Sequence, residues 1–263
     1  MSTGYTALAL CYDSMTPDVN YSRYAETLLK LTKKYGCAPS IVLDLACGTG
    51  SLSFELASRG LEVIGVDASY DMLSQATMKN TDEENPVLFL CQSMEDLDLY
   101  GTESAVYCCL DSVNHLSGVN ALNKAFSKVG LFLEPGGIFI FDVITRERME
   151  RLSGQAFVRE AEGVFCTYRY LFDPKTSRQH VDLDIFTANR QGLYRRETET
   201  VTETAFSLDQ LDAALARGGM DRVGLHGEFA LRAPREGEER ITVVAKRNDS
   251  STHSITTNQK AGK

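Results

Sequence analysis

The sequence predicts an α/β protein built on a parallel sheet with helices on both faces. Three observations carry that reading. Between residues 40 and 145, short apolar runs alternate with amphipathic stretches at βαβ spacing. A glycine-bearing turn joins the first run to the stretch after it. From about residue 157 the pattern changes to three β-rich runs, the second strictly alternating, joined by short turns with no crossover helices, which predicts an antiparallel insertion rather than more of the parallel sheet.

The elements follow in order. Residues 16–36 read as an amphipathic helix, with Leu28, Leu31 and Tyr35 sharing a face with Tyr21 and Tyr24, and Gly36 at the exit. Ser40–Leu45 is a buried strand, Leu52–Arg59 a helix closed by Gly60, and Glu62–Val66 a second strand. Ser69–Lys79 is helical, with Ser69 as N-cap. Val87–Cys91 and Ala105–Leu110 are strands, Ala121–Leu133 is a helix, and Gly137–Val143 is a strand after the turn Glu134-Pro135-Gly136-Gly137. Three strands then form a meander: Val164–Phe172, His180–Thr187 and Leu193–Ala205. In the second, Val181, Leu183 and Ile185 share one face and His180, Asp182 and Asp184 the other. Ser207 and Gln210 form a capping box, and Leu208, Leu211, Ala214 and Leu215 line one face of the helix that ends at Gly218-Gly219. Asp221–Leu225 and Ile241–Ala245 complete the sheet. The expected organisation is an α/β core over 1–150, an insertion covering the substrate over 151–205, the rest of the core over 206–247, and a disordered polar tail over 248–263.

Composition narrows the function. The 263 residues carry 27 basic and 36 acidic side chains, a net charge of −9. That balance weighs against sequence-independent binding of nucleic acid. No apolar run is long enough to span a membrane, and Met1 to Leu10 has no signal-peptide pattern, so a cytoplasmic protein is expected. The seven cysteines show no CxxC spacing and are odd in number, which predicts reduced thiols and no metal site.

The chemistry lies in Val42-Leu43-Asp44-Leu45-Ala46-Cys47-Gly48-Thr49-Gly50, which ends a strand and opens a helix. Gly48 and Gly50 let the backbone approach a ligand closely. Asp67, seventeen residues past Gly50 at the end of the second strand, is placed to accept both hydroxyls of an adenosine ribose. A dinucleotide would want a third small residue where Ser53 stands, and the Asp44 carboxylate would repel a pyrophosphate. Asp44 suits a ligand with an ammonium group, which favours S-adenosyl-L-methionine over a nicotinamide cofactor.

These residues, with Gly65–Leu73 (G-V-D-A-S-x-x-M-L) and Glu134–Asp142 (E-P-G-G-x-F-I-F-D), resemble the class I S-adenosylmethionine-dependent methyltransferases. The resemblance implies a doubly wound seven-stranded Rossmann-like sheet of order 3-2-1-4-5-7-6 with strand 7 antiparallel. Within that group the chain is similar to small bacterial members with an antiparallel insertion after strand 5. It shares their Y-D-x-x-M segment (Tyr12-Asp13-Ser14-Met15-Thr16, offset by one) and their L-D-S-x-N-x-L segment (Leu110–Leu116). It departs from their E-x-H-x-x-R on the third insertion strand: Glu199-Thr200-Val201-Thr202-Glu203-Thr204 keeps the acids and lacks the His and the Arg.

The resemblance implies a cofactor site of Asp44, Ala46, Gly48, Thr49, Gly50, Asp67, Ala68, Met72, Gln92, Ser93, Met94, Leu110 and Asp111. In it Ala68, Met72 and Met94 flank the adenine, and Tyr12 and Tyr21 close over the cofactor. Asp111 and His115 are the candidates for a general base. Asn114, Tyr168, Tyr170, Arg169 and Glu199 are expected at the substrate. The expected partner is a small-molecule methyl acceptor, with a homodimer conceivable through the exposed β face. An RNA or protein methyltransferase and a non-catalytic S-adenosylmethionine-binding regulator are the alternatives.

Overall fold

A computed structural model describes residues 6–248, with side chains from residue 8 onward. The expectations for the extreme N-terminus and for the tail beyond Asn248 lie outside the described residues. Two short helices, α1 (Thr6–Ala9) and α2 (Tyr12–Met15), precede α3 (Tyr21–Lys34). The amphipathic pattern over residues 16–36 predicts an earlier start for the third helix. Asn20 starts it instead, its side chain accepting the Arg23 N–H.

The strands β1 (Ile41–Leu45), β2 (Glu62–Asp67), β3 (Leu88–Cys91), β4 (Glu103–Cys108) and β5 (Leu133–Ile144) alternate with α4 (Ser51–Ala57), α5 (Tyr70–Lys79) and α6 (Val119–Phe132). They are parallel neighbours in the order β3-β2-β1-β4-β5. After the insertion come α8 (Leu208–Arg217), β10 (Met220–Gly227) and β11 (Arg240–Arg247). β11 pairs antiparallel with β5 and β10 antiparallel with β11. The seven-stranded sheet therefore has the order 3-2-1-4-5-7-6, with β11 as the antiparallel seventh strand.

Apolar residues on both faces hold the sheet between two helical layers. Leu28 and Leu31 of α3 and Leu56 of α4 pack on Val42, Tyr107 and Ile140. Phe126 of α6 and Leu211 and Leu215 of α8 pack on Val106, Phe139 and Phe141. The strand order reverses between β1 and β4, and in open α/β sheets a ligand crevice forms there, outside the carboxyl ends of the strands.

The insertion has four strands, not the three expected. α7 (Arg146–Leu152) leads into β6 (Ala156–Ala161), and β7 (Val164–Asp173), β8 (Arg178–Ala188) and β9 (Tyr194–Thr204) complete an antiparallel meander. β6 is an almost wholly exposed edge strand, so its composition carries no alternation to read. The inner face of the meander (Cys166, Val181, Leu183, Ile185 and Val201) is covered by Leu8, Cys11 and Met15 of the N-terminal helices. Arg159 fastens that contact, donating to the Met15 carbonyl at 2.7 Å and to Asp18 at 2.7 Å. Among the described residues no helix is long and apolar enough to cross a membrane, and none of the seven cysteines is in a disulfide.

Candidate active site

The turn after β1 makes the first half of the site. Ala46 and Gly48 take positive φ angles of 62° and 55°, which swing the chain out of the sheet and back into α4. A Cβ on Gly48 would meet nothing within 4 Å, so this glycine leaves open space at the crevice. Gly50, at φ 77°, has a different reason to be glycine: its Cβ would lie 2.9 Å from the Phe89 ring. Gly50 thus serves the packing of α4 on β3, between Thr49 and Ser51 of the turn.

Asp67 is held by this turn. The Gly48 N–H donates to its Oδ2 and the Ser69 N–H to its Oδ1, both at 2.8 Å. A carboxylate can accept more than two hydrogen bonds, so Asp67 keeps capacity for ligand hydroxyls. Asp44 is buried and accepts one hydrogen bond, from the Ser53 hydroxyl at 2.5 Å. Burial, aided by the nearby Asp67 charge, pushes its pKa up to about 7 against the single Ser53 contact.

A cavity of about 330 Å³ opens over this turn. It is lined by Tyr12, Tyr21, Asp44, Ala46, Gly48, Thr49, Asp67, Ala68, Met72, Gln92, Met94, Leu110 and His115, among others. The structure thus brings together most of the expected cofactor residues. Its lining includes the carboxylates of Asp44 and Asp67 and the imidazole of His115, with no Lys or Arg. Such a lining disfavours a pyrophosphate and suits a cationic ligand.

Two further residues stand apart. Ser93 spends its side chain capping the short turn Met94–Asp96, between Gln92 and Met94 of the lining. Gln92 lines the cavity, but its amide is committed to the Asp98 backbone through contacts of 3.0 and 2.8 Å.

Asp13 closes the mouth from the N-terminal side, a role that no local pattern in the sequence signals. Its Oδ1 accepts from Thr49 at 2.6 Å and its Oδ2 from Lys79 at 2.7 Å. This places α2, and with it Tyr12, across the glycine turn.

A second cavity of about 660 Å³ lies between the core and the insertion sheet. Tyr12, Leu110 and Val201 line both cavities and mark where they meet. Leu110 and Asp111, at the end of β4, take left-handed φ angles of 59° and 56°, turning the backbone into this junction. Tyr168 and Tyr170 line the second cavity as expected, and Tyr24, Arg148, Gln179, Glu203, Glu228 and Arg240 join them.

Four expected roles need correction. Asp111 is no free base. Its Oδ1 lies 2.6 Å from Arg240, which also donates to the buried Asp142 at 2.5 Å, while Asp142 accepts the Asp111 N–H at 2.8 Å. Burial would raise the Asp111 pKa, but Arg240, His115 and Arg148 hold it below the usual carboxylate range, and it lines the second cavity rather than the first. Asn114 is fully buried. Its amide donates to the Thr204 carbonyl at 2.9 Å and accepts the Ile144 N–H at 3.0 Å, so it ties β5 to β9 and cannot face a substrate. Arg169 points outward, 3.9 Å from Asp182 and 3.8 Å from Asp184, and lines neither cavity. Glu199 also lines neither; it sits near Cys11 and Cys166. His115 lines the first cavity only.

Comparisons with known proteins agree with this geometry. Residues 42–137 match the family model described as "Methyltransferase domain". A putative methyltransferase of Geobacillus sp. (strain WCH70) is 28% identical over 246 residues, covering 92% of this chain and 99% of that protein. A dTDP-3-amino-3,6-dideoxy-alpha-D-glucopyranose N,N-dimethyltransferase of Streptomyces fradiae is 31% identical over 47% of each chain. The crystal structure of an S-adenosylmethionine-dependent methyltransferase from Clostridium acetobutylicum superposes with a TM-score of 0.83 at 26% identity, covering 93% of this chain and 99% of that one.

Proposed function

We propose that this chain, which is a class I S-adenosylmethionine-dependent methyltransferase, delivers its methyl group to a small molecule held in the second cavity. The observation that carries the reading is the meeting of the two cavities at Tyr12, Leu110 and Val201. The second is about 660 Å³, within the range of small-molecule pockets, and is walled by the insertion sheet and the N-terminal helices. The amino-sugar methyltransferase named above supports a small acceptor, since its own substrate is one.

In this reading the core residues hold the cofactor. Asp67 accepts the ribose hydroxyls, Asp44 faces the ammonium, and Ala68, Met72 and Met94 flank the adenine. Residues 151–205 act as the substrate cover. S-adenosylmethionine supplies a methyl group already activated on a sulfonium. The protein's contribution is then chiefly to align the acceptor atom and keep water away. Tyr12 stands at the junction where that alignment matters, and burial raises its pKa, so it acts there as a neutral hydrogen-bonding group.

The test is incubation of the protein with methyl-labelled S-adenosylmethionine and a cell extract, followed by separation by mass. Label in a compound of low mass is expected. Label confined to protein or RNA would overturn the proposal. Binding of S-adenosylmethionine with no transfer to any fraction would favour a regulatory role instead.

A further inference from the structure

We propose that the acceptor is an amine that also carries an anionic group, with Glu203 receiving the proton of its ammonium and Arg148 holding its anion. This rests on the reading of the second cavity as the acceptor chamber.

The chamber's charged lining is mostly spent. Arg151 is paired with Glu239, Arg159 with Asp18, and Arg240 with Asp111 and Asp142, with Glu228 3.3 Å away. Two charged side chains remain. Arg148, on α7, is half-buried and makes no ion pair within 4 Å among the described residues. Glu203, on β9, is 7% exposed, and its one hydrogen bond to a side chain is to a neutral group, the Gln179 amide at 2.6 Å.

Gln179 sharpens the chemistry. It pairs in register with Glu203 and is 1% exposed. Donating to Glu203 fixes the amide's orientation, and its Oε1 is then left without a hydrogen-bond partner among the described residues. A buried orphan acceptor is costly unless a ligand satisfies it. Beside a carboxylate, the unmet need is for donors. A hydroxyl or thiol brings one proton to two acceptors, whereas an ammonium brings two or three. Arg148 supplies five donors and calls for an anion elsewhere on the same molecule. The pair would therefore select an acceptor by both ends.

The step balances. The ammonium gives a proton to the Glu203 carboxylate. The freed nitrogen lone pair forms an N–C bond to the methyl carbon as the C–S bond breaks. Its electron pair stays on sulfur, leaving the thioether product and an N-methylated ammonium. Burial, with the Asp111 charge close by, raises the Glu203 pKa against the opposing influence of His115, Gln179 and Arg148, which brings it closer to a working pH as a proton acceptor. The groups that face it are Asp111 and His115 from the loop after β4, Arg148 from α7, Tyr170 from β7 and Gln179 from β8.

Identification of the labelled product is the test. The label is expected on the nitrogen of an amine that also bears a carboxylate, phosphate or sulfate. With that compound in hand, Glu203→Gln should lower kcat about a hundredfold or more and flatten the acidic limb of its pH profile. Arg148→Met should raise KM about tenfold with kcat little changed, and Arg148→Lys should restore part of the loss. Calorimetry of the compound on protein saturated with S-adenosylhomocysteine should show the same weakening for Arg148→Met without turnover. Unchanged affinity of both variants for S-adenosylhomocysteine excludes misfolding. Label on oxygen, sulfur or carbon of a small molecule overturns this inference and leaves the small-molecule reading standing. Label only in a polymer, or no transfer at all, removes both. A Glu203→Gln enzyme with wild-type kcat and pH profile removes Glu203, whatever the product.

Discussion

Asp44 should make cofactor affinity depend on pH in the acid range. Burial, with the Asp67 charge close by, pushes its carboxyl up to a pKa of about 7 against the single stabilising contact from the Ser53 hydroxyl. An ammonium in the cavity needs the carboxylate form. Protonation therefore competes with binding, and the apparent dissociation constant scales as one plus the ratio of protonated to ionised Asp44. Affinity is full above pH 7 and is lost as pH falls below it. From pH 8 to pH 6 the loss is about tenfold, equal to about 1.4 kcal/mol. A further tenfold goes by about pH 5. Calorimetry with S-adenosylhomocysteine, which keeps the ammonium and cannot react, measures this between pH 5 and 7.5, below the range where a ligand α-amino group itself loses its proton. The raised Asp67 pKa contributes in the same direction, so Asp44→Asn is the deciding control. That variant should bind weakly at every pH and lose most of the slope. A wild-type affinity that is flat over this range, or a slope undiminished in Asp44→Asn, would refute the assignment.

Three other outcomes follow from the hydrogen bonds. Asp67→Ala should weaken S-adenosylhomocysteine binding at least tenfold by calorimetry, since it removes the acceptor and frees the Gly48 and Ser69 N–H groups it fixes. Asp96→Ala, on an exposed ion pair with Lys124, should leave that affinity unchanged. Asp13→Ala lines neither cavity but releases the Thr49 hydroxyl and Lys79; it should raise the dissociation constant about three- to tenfold. Asn114→Ala should cost about 2–4 kcal/mol of stability in urea denaturation, because it leaves the buried Ile144 N–H and Thr204 carbonyl unpaired.

What could be read in the sequence was local. The βα turn with Asp44 and Gly48, and Asp67 at the next strand end, are contiguous patterns, and the strands of the core announce themselves by apolar runs between turn residues. The Ser207–Gln210 capping box is likewise a four-residue pattern and is present as expected. The second cavity was not legible, for a physical reason. Asp111, Asp142 and Arg240 form one buried cluster from three separate strand ends, and nothing in local spacing reports that β11 returns beside β5 to bring Arg240 there. Asn114 looked like a substrate residue because polar residues past a strand end often are. Its burial depends on β9, ninety residues away. Gly50 shows the converse limit, since a motif glycine can be required by a neighbouring aromatic ring rather than by the ligand.

The charge arithmetic of the interior also explains why Asp111 and Asp44 differ, though both are acids at the carboxyl ends of core strands, Asp44 buried and Asp111 partly so. Arg240 lies within 2.6 Å of Asp111 and stabilises its charge, so that carboxylate is ionised and structurally committed. Asp44 has no such partner. Burial raises its pKa, and because two carboxylates line the first cavity and no Lys or Arg does, that cavity carries an electrostatic deficit in which the Asp67 charge adds to the rise. Residues 1–150 hold 20 acidic side chains against 10 basic ones, while 151–205 hold 8 of each. The acidity that sets the net charge therefore belongs to the half that receives a cation. A neutral or anionic ligand in that cavity would leave the deficit in place, whereas a ligand with an ammonium and a sulfonium removes it. Selectivity for S-adenosylmethionine over a phosphate-bearing cofactor thus follows from what the cavity lacks as much as from the glycine turn that shapes it.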